Sequence, residues 1–74
     1  MSLRADLLLE IERFLSAMKM PATAFGQAAV NDGHLVHDLR IGREPSEAIA
    51  DRVRAFILDE KARVAAFLSG EEAA

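Results

Sequence analysis

Apolar residues recur along the start of the chain at intervals of three and four. Leu3, Leu7, Ile11, Phe14, Leu15 and Met18 share one side of a helical projection, with Asp6, Glu10 and Arg13 opposite. The pattern predicts an amphipathic helix running to Met18, with Ser2 as the N-cap whose hydroxyl accepts from an open first-turn N–H. Leu9 falls on the polar side, either as a single exposed leucine of the ordinary kind or as the edge of a subunit contact. Lys19 and Met20 form a short link, and Met18 and Met20 are read as packing residues.

The same period returns near the end of the chain over a longer run. Ser46 is positioned as an N-cap, and Glu47 places a negative charge in a first helical turn, where the helix dipole favours it. Nothing stops this helix before Ser69-Gly70, so a span from Glu47 to about Leu68 would be about 33 Å long at 1.5 Å per residue. Its stripe is Ile49, Val53, Phe56, Ile57, Val64, Phe67 and Leu68, interrupted by Glu60. The first part suffices to close a core, and the last three residues extend past it. Either the helix bends near Asp59-Glu60 and folds back on the first helix, or the overhang packs on another copy of the chain. Ala55, Leu58, Ala62 and Ala65 form a second face, small enough to permit close helix approach. A homodimer is the expected use of this extension over residues 58–69, with Leu58, Ala62, Val64, Ala65, Phe67 and Leu68 as its seam.

Between these helices, Pro21 to Pro45 reads as two short helices separated by a turn. Pro21 opens the first, since a first helical turn needs no N–H there, and Gly26 lies where a second helix must approach closely. Asn31-Asp32-Gly33 supplies a capping oxygen and a residue tolerant of positive φ. The second short helix runs from about His34 to Ile41 and is stopped by Gly42 in the C′ position. It turns Leu35, Val36 and Leu39 to one side and His34, His37 and Ile41 to the other, flanked by Asp38 and Arg40. A helix this short is not stable alone, so the flanking helices must hold it. The expectation is a single all-α domain over residues 1–74: a small four- to five-helix bundle with a helix-turn-helix at about 21–42 and a long C-terminal helix at about 46–69.

Composition narrows the function. A chain of 74 residues without cysteine has neither a disulfide framework nor a thiolate zinc site, which fits a cytoplasmic location. No signal peptide is visible, and no apolar run reaches the roughly 18 residues needed to span a bilayer. With four Phe and no Trp or Tyr, there is little to build a base-stacking platform. His34 and His37 have a spacing that can hold a metal, with Asp38 beside them, but no third strong ligand follows nearby. The serines sit at predicted helix ends or on a polar face, and no glycine loop suits phosphate cradling. No enzyme activity, metal or cofactor is therefore expected. The net charge is −3, whereas duplex binders are commonly basic. From Lys19 to Arg43, however, Lys19, Arg40 and Arg43 stand against Asp32 and Asp38, three minus two, or +1 before the histidines are counted.

The motif Leu39-Arg40-Ile41-Gly42-Arg43-Glu44-Pro45-Ser46, with Phe25, Gly26, Ala29, Val36 and Leu39 before or within it, resembles the helix-turn-helix of the phage repressor and Cro type, the XRE-like family of bacterial DNA-binding domains. The resemblance covers about the first three quarters of the chain. Departures are Val30, where the family often has glycine, Asn31, where it is often apolar, and the acidic residues of the reading helix. The resemblance implies a small transcriptional regulator that binds duplex DNA as a homodimer. Thr23 and Gln27 would touch phosphate, Gly33, His34, His37 and Asp38 would face base edges, and Arg40 and Arg43 would anchor to the backbone. The competing interpretation is that Arg40 and Arg43 merely solvate a helix end. The alternative function is a protein-interaction module of the antitoxin or anti-regulator type, which keeps the fold without DNA and suits an acidic exterior to a basic partner.

Overall fold

A computed structural model describes Ser2 to Gly70 and contains four helices in the order α1 (Leu3–Met18), α2 (Ala22–Val30), α3 (Leu35–Arg40) and α4 (Glu47–Ser69), with no strand among the described residues. Both long helices begin as their cap residues dictate. Ser2 Oγ accepts from Ala5 N at 3.2 Å, and Ser46 Oγ accepts from Ile49 N at 3.1 Å, each satisfying a first-turn N–H that has no intrahelical partner.

The helix α1 and the first half of α4 lie side by side and run in the same sense. Leu3 lies beside Glu47 and Ala50, Glu10 pairs with Arg54 at 3.0 Å, Phe14 meets Phe56, and Met18 lies beside Lys61. The short helices α2 and α3 close over this pair. The core consists of Leu7, Ile11, Phe14 and Leu15 from α1, Phe25 and Val30 from α2, Leu35, Val36 and Leu39 from α3, and Ala50, Val53 and Ile57 from α4. At its centre, Phe14, Phe25 and Phe56 meet edge to face, with ring centroids 5.4 to 6.1 Å apart, a geometry that sets positive ring edges against negative faces. Leu9 remains half exposed on the outside of α1.

The helix α4 is uninterrupted from Glu47 to Ser69. The bend at Asp59-Glu60 and the return to α1 therefore do not occur, and the helix passes the end of α1 as an overhang. This accounts for the long axis of the molecule, whose extents are 42 × 22 × 19 Å. No described helix is long and apolar enough to cross a membrane.

Candidate nucleic-acid interface

The geometry of the α2-turn-α3 unit is set by one close approach. A Cβ on Gly26 would collide with the backbone carbonyl oxygen of Asp32 and lie 3.3 Å from Leu35 Cβ, so only glycine lets the returning chain cross α2 here. The reversal occurs at Asn31, in the left-handed region at φ 59°, and Asp32 N donates back to Gly26 O at 3.0 Å. The left-handed residue of the turn is thus Asn31, while Gly33 has no positive φ. Asp32 Oδ1 accepts from His34 N at 2.9 Å, an Asx turn ahead of α3, while His34 itself stands at the N-cap position and the expected side-chain cap of α3 is not made.

The helix α3 is shorter than the sequence suggests. Its regular part is Leu35–Arg40, with His34 and Ile41 as the flanking caps. Gly42, at φ 105°, ends it in a Schellman arrangement, with Gly42 N donating to Leu39 O at 3.2 Å and Arg43 N to Asp38 O at 2.9 Å. Leu35, Val36 and Leu39 are buried, and His34, His37 and Ile41 are exposed, as the helical projection requires.

Thr23, Gln27 and Gly33 come together on one surface. A Cβ at Gly33 would lie 3.0 Å from Thr23 Cγ2 and 3.4 Å from Gln27 Oε1, so the glycine seats the start of α3 against the outer side of α2. Gln27 Nε2 donates to Asn31 Oδ1 at 3.0 Å. Pro21 provides no side-chain cap to α2, which leaves the first-turn N–H groups around Thr23 open to solvent or to an anion.

The two arginines have partners within the chain. Arg40 makes a bidentate pair with Glu12 of α1, through Nε at 2.8 Å and Nη2 at 2.9 Å. The hydrogen bonds from Arg40 lower the Glu12 carboxyl from its ordinary value, opposed by desolvation and aided to a lesser degree by the Arg40 charge, and Glu12 raises Arg40 in turn. Arg43 lies 3.3 Å from Asp38, which is only partly exposed. The sequence reading missed Glu12 and Arg4. Arg4 Nη1 donates to Leu39 O at 3.0 Å, so two side chains of α1 grip the last turn of α3. Arg4, Leu8 and Glu12 follow one another at intervals of four along the border of the α1 stripe, a pattern that flags a second, half-buried contact line.

The six residues expected at a dimer seam do not share one face. Leu58, Ala62 and Ala65 project from the outer side of α4, whereas Val64, Phe67 and Leu68 prolong the line of Val53 and Ile57, which face the core. Among the described residues, no group of three or more His, Cys, Asp or Glu side chains is placed to hold a metal.

No protein-family model matches the chain, and neither a curated protein nor a solved structure does.

Proposed function

We propose that the protein binds duplex DNA sequence-specifically as a small cytoplasmic transcriptional regulator, with α3 in the major groove. The observation that carries this reading is the α2-turn-α3 unit closed on Gly26, with Gly33 seated against Thr23 and Gln27 and with His34 and His37 exposed on the segment that follows. The open first turn of α2 offers N–H groups to a phosphate, and the histidines offer donors to guanine or phosphate. The resemblance of residues 39–46 to the repressor motif supports the same reading.

The test is fluorescence anisotropy of the full chain with mixed-sequence duplex at about 50 and 200 mM salt. Lys19, Arg40 and Arg43, the Lys and Arg residues of this segment, neutralise up to three phosphates per copy, for a slope near −2.7 and a loss of about 40-fold per copy over that range. Replacing Arg40 and Arg43 together by alanine should weaken binding to every duplex and lower the slope by about two. Absence of binding at micromolar protein in the lower salt would overturn the reading.

A protein-interaction module without DNA binding is the second reading, favoured by the pairing of Arg40 with Glu12 and of Arg43 with Asp38, which occupies both cations inside the chain. A basic protein partner is then expected.

A further inference from the structure

We propose that two copies of this chain exchange the last two turns of α4, each overhang seating its apolar stripe in the groove between α1 and α4 of the other copy. The proposal does not depend on what α3 binds.

The helix α1 ends at Met18, level with Lys61, and α4 continues to Ser69, about 12 Å further at 1.5 Å per residue. Over that length Val64, Phe67 and Leu68 keep to the core-facing line of Val53 and Ile57, and exposure rises along it from 36% at Val64 to 70% at Phe67 and 77% at Leu68. Next to the overhang is a groove of about 350 Å³ with Phe14, Ala17, Met18 and Ile57 in its walls. The overhang cannot enter the groove of its own chain, because α4 is unbroken. A two-fold rotation brings each overhang to the groove of the other chain and satisfies both surfaces in both copies at once.

The charges agree with this occupant. Arg13 and Lys61 rim the groove, and among the described residues neither has a carboxylate within salt-bridge distance, while the nearby Glu10 is held by Arg54. The last turn of α4 contains no basic residue, so among the described residues no cation within that turn offsets the negative end of its dipole, which would meet those two cations. Covering stripe and groove in both copies removes from water the exposed faces of Phe67 and Leu68 and the apolar walls formed by Phe14, Ala17, Met18 and Ile57. The outer-face residues Leu58, Ala62 and Ala65 take no part.

Sedimentation velocity of the full chain tests the exchange, with circular dichroism of each variant as a check on folding. The wild type should be a dimer with a Kd below about 10 μM. Phe67→Glu, which removes the plug, and Ala17→Glu, which blocks the seat, should each raise the Kd by about 30-fold or more, while Ala62→Glu on the outer face should not change it. All three positions are exposed, so the monomers should stay helical. Mixing the Phe67→Glu and Ala17→Glu chains should partly restore dimers, because one intact overhang then meets one intact groove. A wild type still monomeric at about 100 μM, a dimer indifferent to either variant, dissociation by Ala62→Glu, or no restoration on mixing would each overturn the proposal.

Discussion

Gly26→Ala opposes two effects of known size. Gly26 is the middle residue of the nine in α2, and alanine is favoured over glycine in a helix interior by about 1 kcal/mol. On local grounds the substitution stabilises. The added Cβ, however, would fall on the carbonyl oxygen of Asp32, a backbone atom that has no rotamer by which to move aside. That oxygen belongs to a turn fixed by Asn31 at positive φ and by the 3.0 Å hydrogen bond from Asp32 N to Gly26 O. Relief requires displacing the turn and α3 with it. Overpacking of this kind costs about 1–3 kcal/mol, and loosening the hydrogen bond costs about 1 more. After subtraction of the propensity gain, the expected net loss is about 1–3 kcal/mol. Urea unfolding followed by circular dichroism measures it, with Ala28→Gly, exposed on the same helix, as a control that should lose only the propensity value of about 1 kcal/mol. A Gly26→Ala protein as stable as the wild type, or more so, would refute the argument that this approach sets the turn.

Two further substitutions probe other parts of the structure. Phe25 is fully buried between Phe14 and Phe56, so Phe25→Ala should cost about 3–5 kcal/mol, more than Phe56→Ala at a half-buried position; equal losses by chemical denaturation would contradict the central place of Phe25. The Glu12 carboxyl is held below its ordinary value, so its pair with Arg40 contributes stability above the unfolded-state pKa and loses it as the pH falls through the lower folded-state value. Melting temperature should therefore decline more steeply below about pH 4 in the wild type than in Glu12→Gln, and coincident profiles would show that the pair adds nothing.

Much of the fold was legible because local rules govern it. Ser2 and Ser46 cap their helices, Gly42 ends α3, and the α1 stripe is the face that α1 buries, each a matter of a few consecutive residues. What escaped the sequence was non-local or a choice between equals. Either Asn31 or Gly33 could have taken the left-handed conformation; Asn31 takes it, and Gly33 instead packs against Thr23 and Gln27. The pairing of Arg40 with Glu12 spans 28 residues, beyond the reach of periodicity. The unbroken course of α4 was not legible either, because a bend at Asp59-Glu60 violated no local rule. At the candidate site, the exposure of His34 and His37 was readable from the period, while the grip of α1 on the adjoining turn was not.

That grip makes α1 a lever on α3. Six residues are too few to fix their own orientation, and the far end of α3 is pinned by Arg4 at Leu39 and by Glu12 at Arg40. A substitution at either α1 position would tilt the helix and swing both histidines to a new bearing while leaving every outward residue as it was. If α3 reads DNA as proposed, its preference can therefore change through the framework alone, and a comparison confined to the outward residues would score chains that differ in it as identical.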